Sequence, residues 1–261
     1  MRSLCRMSQT RETSLRRGVA ILEALASDQA VRDGGLRVTD LVDVVGREKS
    51  QISRTLRTLA ELGLVERDGD ARHRLSWRFY LLGTHGGRSR LVEQAAPLLR
   101  RLVDALSERA HLSVLQGDQV LTLLSESSPH SVQSAGWSGR TVPCWCTSSG
   151  RALLFDHGLE ALQALCGDTD FTGRGPNAPR SVADLYQRTR QARDRGVAVV
   201  SDEFEEGLVA VAAPVRDLGG RLVAVLNVSG PTFRLGRDTD PAAGAVTNAA
   251  DQLTRALGQP A

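Results

Sequence analysis

The sequence predicts an α+β protein with two domains, and two observations lead to this expectation. Residues 1–83 contain amphipathic helices followed by a basic hairpin, whereas residues 109–261 mix short apolar strands with helices. The charge is divided in the same way, because residues 1–90 carry 17 basic and 11 acidic side chains and the remainder carries 16 and 19. At 261 residues and 41% hydrophobic content, each domain can bury a core of its own.

The most informative segment of the first domain is a helix followed by a hairpin. A short helix is expected to end near Val45, and Gly46 allows a second helix to start at a steep angle. We predict this second helix from Glu48 to Leu62. Its inward positions follow the i, i+4, i+7 spacing of a buried helix face and are Ile52, Leu56 and Leu59.

The outward face of this second helix is polar and basic. Arginine can bond guanine edges or phosphates, glutamine can pair with adenine, and serine hydroxyls or first-turn amides can hold phosphate. The predicted DNA-contacting residues of this face and of the turn before it are Arg47, Lys49, Ser50, Gln51, Ser53, Arg54 and Arg57. The alternative interpretation is an ordinary amphipathic helix with a solvated basic face.

A basic hairpin follows the helix. The turn is expected at Asp68-Gly69-Asp70, and in the return strand Arg72 and Arg74 alternate with His73. We predict that the two arginines face the DNA backbone and that His73 packs in the core instead of acting as a ligand or base. Helix, turn, helix and basic hairpin in this order predict a winged helix-turn-helix that binds double-stranded DNA.

The rest of the chain divides into a connection and a larger domain. Residues 27–37 are interpreted as a loop, and a connecting helix is expected from Leu91 to Leu106. We expect the winged helix-turn-helix domain over residues 1–83, the linker helix over 84–108 and the second domain over 109–261. In the second domain we expect a hairpin around Gly117-Asp118, a mobile loop, helices and strands, in this order: loop 125–139, helices 148–155 and 159–165, a helix from Ser181 to Gly196, strands 197–200, 208–215 and 222–228, and a helix from Asp240 to Gly258.

Several classes of protein are not expected. No segment approaches the roughly 18 apolar residues that a membrane-spanning helix needs, and residues 1–17 are too charged for a signal peptide, so we expect a cytoplasmic protein. The four cysteines lack paired C-x-x-C spacing, and we find no nucleophile elbow, zinc-binding histidine pair or phosphate loop. We therefore expect no metal, no cofactor and no enzyme activity. The alternative is a thiol-based redox sensor, or an enzyme, that uses Cys144 and Cys146.

Polar residues in the second domain are candidates for binding a small molecule. Asn227 and Ser229 share one face of an apolar strand, where a solvent-exposed strand end is an equal alternative. Cys146, Thr147, Ser148 and Ser149 open a helix whose first amides can hold a carboxylate, with ordinary capping as the alternative. Two further candidates are Arg140 as countercharge and the Asp202-Glu203 pair for ligand hydroxyls, although these could also be a solvated cation and an exposed acidic turn.

These residues resemble the IclR family of bacterial transcriptional regulators over most of the chain, from Ser14 to Gly258. In the first third the resemblance lies in residues 14–23, in Lys49-Ser50 with Arg54, Leu56 and Thr58-Leu59, and in Gly63-Leu-Val-Glu-Arg-Asp-Gly69. In the remainder it lies in Gly139-Arg140, Pro143, Cys146-Thr147, residues 150–154, Arg193 with Gly196, Glu203 with Glu206-Gly207-Leu208, residues 212–215 and Ser229-Gly-Pro231.

The resemblance implies a winged helix-turn-helix joined by a helix to a GAF-like α/β effector-binding domain, assembled as a homodimer or dimer of dimers on a palindromic operator. In that family small molecules, often carboxylates or aromatic acids, bind the second domain and change operator binding. Carried over to this sequence, the effector site falls on Thr147, Ser148, Ser149, Asp202, Glu203, Ala210, Asn227 and Ser229.

The chain departs from the family pattern at three positions of this site. Trp145 stands where the family usually has histidine, Ser149 where it commonly has a residue such as leucine, and Asn227 where serine is frequent. The pocket is therefore expected to be bulkier and differently polar. Taken together, the sequence predicts a ligand-responsive, DNA-binding transcriptional regulator. A module whose helix-turn-helix only dimerises is a further alternative.

Overall fold

The computed structural model describes residues 13–84, 89–127 and 137–258. The chain forms two compact units that divide between Ser89 and Arg90. Helix α6, Ser89–Leu106, lies almost entirely in the second unit, where Leu91, Leu99 and Leu102 enter the core. The predicted connecting helix from Leu91 to Leu106 is confirmed, and its apolar side packs on the sheet that follows it.

The first unit contains helices and one hairpin, in the order α1 (Ser14–Leu25), α2 (Asp28–Arg32), α3 (Val38–Val45), α4 (Lys49–Glu61), β1 (Val65–Arg67), β2 (His73–Leu75) and α5 (Trp77–Thr84). The predicted helix from Glu48 to Leu62 is confirmed within one residue at each end. The interpretation of residues 27–37 as a loop is wrong, because α2 lies there. A five-residue helix is too short to show a period, and its signal is local, since Ser27 Oγ accepts the N–H of Ala30.

Gly46 sets the angle between α3 and α4. It has φ +66°, the left-handed conformation that glycine adopts at little cost, and its N–H donates to Val42 O. Helix α4 then buries Ile52, Leu56 and Leu59 against α1 and α3, as the spacing predicted.

The hairpin closes the core of the first unit. Strands β1 and β2 are antiparallel, with Glu66 opposite Arg74. His73 and Leu36 exchange both backbone hydrogen bonds, which adds Leu36 to the edge of the hairpin. The side chain of His73 is buried, and burial lowers its pKa, in agreement with the predicted packing role.

The second unit is built on an antiparallel sheet of six strands in the order β5-β4-β3-β8-β7-β6. Its strands are β3 (Arg109–Gln116), β4 (Gln119–Glu126), β5 (Thr141–Pro143), β6 (Ala198–Ser201), β7 (Leu208–Arg216) and β8 (Leu222–Pro231). Its further helices are α7 (Ser148–Leu153), α8 (Leu159–Cys166), α9 (Val182–Arg195), a 3₁₀ turn (Leu235–Arg237) and α10 (Asp240–Gly258). The expected hairpin, three late strands and final helix are confirmed, whereas β5 was not predicted.

Helices cover both faces of this sheet. Helices α6 and α10 pack on one face, and α7, α8 and α9 pack on the other. Successive strand residues alternate between the two layers, so that on β8 Leu226 and Val228 enter the α6 and α10 layer while Val225 enters the opposite one. None of the described helices is both long and apolar enough to cross a membrane.

Helix α7 approaches the preceding backbone very closely. A Cβ atom at Gly150 would overlap the carbonyl group of Cys144, whereas one at Gly244 in α10 would meet no atom within 4 Å. Only glycine therefore permits α7 to lie at this distance from the segment that leads into it.

We expect the Gly150→Ala substitution to lower the free energy of unfolding by about 1 to 3 kcal/mol, because the added methyl group forces α7 away from Cys144. Denaturant unfolding would measure the effect. The matched control Gly244→Ala should leave stability unchanged or raise it by up to about 1 kcal/mol. A Gly150→Ala protein as stable as the wild type would contradict this packing.

Candidate functional site

The residues predicted to contact DNA lie together on α4 and the turn before it. Arg47, Lys49, Ser50, Arg54 and Arg57 are exposed, and Gln51 and Ser53 are half-buried at the flanks. Within the described parts of the chain, Lys49, Arg54 and Arg57 have no ion-pair partner. The surface formed by the seven predicted residues is here called the basic face of α4. Within it, Lys49, Arg54 and Arg57 are available to an external anion.

The two hairpin arginines differ from each other. Arg72 is half-buried, and its Nη1 atom donates to Gly35 O at 3.0 Å, so this side chain helps to hold the hairpin on the loop before α3. Arg74 is exposed and pairs across the strands with Glu66 at 3.3 Å. An exposed ion pair of this kind contributes little to stability, and Arg74 can exchange Glu66 for a phosphate at small cost.

The second unit contains a cavity of about 360 Å³ between the sheet and the start of α7. This volume is within the usual range for small-molecule sites. Apolar side chains of the wall include Val120, Trp137, Val142, Val200 and Phe204. Polar side chains reach it from the middle of the sheet and are His111, Ser113, Thr122, Asn227 and Ser229.

Six of the predicted effector residues line this cavity. They are Thr147, Ser148, Ser149, Ala210, Asn227 and Ser229. Asn227 is buried and its Nδ2 atom donates to Ser148 Oγ at 3.4 Å, so it does not form the solvent-exposed strand end that was the alternative. Thr147 does cap α7, because its hydroxyl accepts the N–H of Gly150 and donates to Pro143 O.

Three other predicted effector residues lie outside the cavity wall. Arg140 is exposed, with its guanidinium 5.5 Å from the centre of the Trp137 ring. Cys146 is fully buried in the core beneath α7. Asp202 shapes its own turn, since its carboxylate accepts the N–H of Gly207 and the hydroxyl of Ser201. These side chains therefore meet neighbouring protein groups or solvent instead of the cavity.

Glu203 is also excluded from the cavity, because arginines occupy its carboxylate. Arg151 of α7 binds both oxygens, at 2.8 and 2.5 Å, and Arg188 of α9 binds Oε1 at 3.2 Å. Arg188 in turn pairs with Asp184. Arg151 and Glu203 are nearly completely buried, and breaking such a pair would leave an uncompensated charge inside the protein. The expectation that Glu203 bonds a ligand is therefore corrected to a role in fixing α7.

Three cavity residues on β3 were not predicted from the sequence. Arg109, His111 and Ser113 stand at alternate positions and point to the cavity side, while Ala110 and Leu112 enter the opposite core. Burial and, to a smaller extent, the nearby charge of Arg109 together lower the pKa of His111 to about 4. The available signal was a period of two in which polar residues alternate with buried apolar ones.

Some charged side chains at the cavity form salt bridges and others do not. Glu108 is buried and holds Arg234 through two hydrogen bonds, at 2.6 and 3.0 Å. Arg109 has no ion-pair partner within the described part of the chain. The cavity thus combines an apolar wall, neutral hydrogen-bonding groups, the exposed carboxylate of Glu205 and an arginine that forms no salt bridge in the described residues. The arginine suits a small molecule with a carboxylate.

The redox alternative uses Cys144 and Cys146, but in the structure Cys144 lies beside Cys166. Cys144 Sγ lies 3.8 Å from Cys166 Sγ, and Cys146 is buried separately. Burial raises the pKa of Cys146 to about 12, and the contact with Cys166 together with burial raises the pKa of Cys144. A protonated thiol is a poor nucleophile. Among residues 13–84, 89–127 and 137–258, no group of three or more His, Cys, Asp or Glu is placed to hold a metal ion.

Similarity to known proteins extends over both units. The family model for the IclR helix-turn-helix domain matches residues 14–69. The model for the bacterial transcriptional regulator IclR C-terminal domain matches residues 86–255.

Individual relatives agree with these matches. The Pca regulon regulatory protein of Pseudomonas putida is 30% identical over 226 residues, which are 86% of this chain and 76% of that protein. The transcriptional regulator BhcR of Paracoccus denitrificans is 31% identical over 255 residues, which are 94% of this chain and 85% of that protein.

Solved structures show the same fold. An IclR homolog from Microbacterium hydrocarbonoxydans, complexed with 4-hydroxybenzoate, aligns with a TM-score of 0.77 at 23% identity over 94% of this chain and 99% of that one. The IclR protein of Thermotoga maritima aligns with a TM-score of 0.72 at 21% identity over 94% and 99% of the two chains. With matching models for both units and relatives at 30% identity or more, the chain belongs to the IclR family of bacterial, DNA-binding transcriptional regulators.

Proposed function

We propose that the cavity of the second unit binds a small aromatic carboxylic acid and that occupancy changes the affinity of the chain for a palindromic operator in double-stranded DNA. The observation that carries the proposal is a cavity of about 360 Å³ with buried polar groups and an arginine that forms no salt bridge in the described residues, on a chain that also carries a basic helix-turn-helix. In this proposal the protein is a regulator and not an enzyme.

The cavity lining favours an aromatic acid. Trp137, Phe204 and the valines of the wall suit a flat apolar ring. Arg109 supplies a positive charge for a carboxylate, and Ser148, Ser149 and Asn227 supply neutral donors beside it. The 4-hydroxybenzoate complex of the Microbacterium homolog supports this class of ligand for a protein of the same fold.

DNA binding is assigned to the basic face of α4, with Arg74 of the hairpin on the backbone beside the groove. Arginine and glutamine side chains on a recognition helix can read base edges in the major groove. Members that bind palindromes do so as dimers, since two copies of one helix must meet two half-sites. We therefore propose a homodimer or a dimer of dimers as the binding form.

The link between the two sites is a coupling free energy. A ligand changes operator affinity only if it binds one conformation of the protein more tightly than another. An acid that raises the melting temperature should consequently also shift the DNA affinity. Thermal stabilisation without any change in DNA affinity would refute the coupling.

We expect Arg54→Ala and Arg57→Ala each to weaken binding to the DNA upstream of the gene by about 1 to 3 kcal/mol if the side chain reads a base. A mobility-shift titration at fixed salt would measure this, and the exposed Arg32 in α2 offers the control Arg32→Ala, which should bind normally. Equal binding by wild type and Arg54→Ala would show that the helix is assigned wrongly.

Replacing Arg109 with glutamine should weaken benzoate binding by about 1.5 to 3 kcal/mol, because a charge-assisted hydrogen bond is lost. Isothermal titration calorimetry on the full chain would measure the affinity. The control Arg195→Gln removes an exposed arginine from the last turn of α9, outside the cavity, and should have no effect. Benzoate affinity that is unchanged in Arg109→Gln would exclude Arg109 as the countercharge.

The redox alternative has a separate test. Cys5 lies outside the described residues, so a Cys5→Ser protein reports on the three buried thiols alone. We expect these thiols to react with Ellman's reagent slowly in the folded protein and fully in denaturant, since all three are buried. Operator binding should be the same before and after peroxide. Rapid loss of thiols together with altered DNA binding would favour the redox sensor.

A further inference from the structure

His111 occupies a central place in the cavity floor. It lies on β3, which is hydrogen-bonded to β4 on one side and β8 on the other. Its side chain is only 7% exposed and faces the cavity, directly opposite Asn227 in the register of β3 and β8. The rings of His111 and Trp137 meet in a T-shaped arrangement, with their centres 6.0 Å apart.

One nitrogen of this imidazole is not satisfied by the protein. His111 Nδ1 is buried and has no hydrogen-bond partner among the residues that the structure describes. His73 and His157 also have a buried Nδ1 atom of this kind, but neither lines the cavity. Of these three histidines only His111 lines a space that a small molecule can enter. Its imidazole has no hydrogen-bond partner among the described residues, so a polar ligand atom that reaches the ring would gain a hydrogen bond that the protein alone lacks.

The chemistry of the ring limits what this ligand atom can be. Burial keeps the pKa of His111 near 4, and the ring is neutral at physiological pH. A neutral imidazole offers one N–H donor and one acceptor nitrogen and supplies no countercharge. Because either tautomer can bond a hydroxyl group, which both donates and accepts, a hydroxyl fits this position better than a carboxylate does.

Arg109 and His111 suit different ends of a ligand. Arg109 leaves the same face of β3 two residues earlier and also lines the cavity. It provides the charge that His111 lacks. A molecule with a carboxylate at one end and an uncharged polar group at the other is therefore matched by two different side chains of one strand.

We propose that His111 is a specificity-determining residue of the cavity, and that its imidazole hydrogen-bonds a ring hydroxyl of a hydroxylated aromatic acid. This inference rests on the proposed function and deepens it, because it distinguishes hydroxylated acids from the same acids without the hydroxyl group. A site that bonds a hydroxyl discriminates against an analogue without one, since its polar atom is then left unpaired.

The test compares three probes, benzoate, 3-hydroxybenzoate and 4-hydroxybenzoate, by isothermal titration calorimetry on the full chain. The wild type should bind at least one hydroxybenzoate about ten-fold more tightly than benzoate. His111→Phe keeps an aromatic ring without nitrogen and should bring this ratio to about one by weakening only the hydroxybenzoate. His111→Gln retains a donor and an acceptor and should keep most of the preference. His157→Phe, the matched control, should keep the wild-type ratio.

The outcomes separate this inference from the proposed function. Equal wild-type affinity for benzoate and both hydroxybenzoates would overturn the role of His111 while leaving the acid site intact. An unchanged ratio in His111→Phe, or in His111→Leu should the first variant not fold, would do the same. Failure of all three acids to bind the wild type would overturn the proposed aromatic acid, and the assignment of His111 would fall with it.

Discussion

The structure of the second unit depends on one constraint, the alternation of side chains across a sheet that is covered by helices on both faces. On β8 and β3 one set of residues, including Leu226, Val228 and Leu112, must be apolar because α6 and α10 seal that face. The residues between them, Asn227 and His111, face the layer of α7. Since α7 is short and stands over only part of the sheet, polar groups on that face border a cavity and not a packed core.

The position of α7 is the second determinant of the cavity, and buried charges fix it. Arg151 of α7 forms a salt bridge with the carboxylate of Glu203, and Arg188 of α9 donates a hydrogen bond to the same carboxylate. Gly150 lets the same helix lie directly on the backbone of Cys144. Glu203, which was predicted to contact the ligand, thus binds the arginines that hold the helix carrying Ser148 and Ser149. A charged residue in a family motif can therefore hold the elements around a binding site in place without contacting the ligand.

In both units the candidate binding residues are polar side chains on an element whose opposite side is packed in the core, but they are mostly exposed in the first unit and partly or fully buried in the second. In the first unit Ile52, Leu56 and Leu59 of α4 fill the core, and Lys49, Arg54 and Arg57 on the outward side are exposed and can contact an external partner. In the second unit the functional groups are inside, where removal from water makes each unsatisfied polar atom costly and hence selective. An exposed basic surface suits a long polyanion, and a cavity of about 360 Å³ with neutral donors suits one small acid.

The sequence alone determined the elements with a strong local pattern. Helix α4, its basic face, the β3 and β4 hairpin and the closing helix α10 follow from spacing, turn glycines and capping residues, which act over a few residues. Helix α2 and strand β5 are too short to show a period and were missed or read as loop. Only the tertiary structure decided which polar residues share a cavity. His111 and Asn227 are 116 positions apart in the chain and lie opposite each other only through the register of β3 and β8. Likewise, the carboxylate of Glu203 is bound by arginines of two helices, Arg151 of α7 and Arg188 of α9. Such contacts depend on strand order and helix packing, which no local pattern specifies.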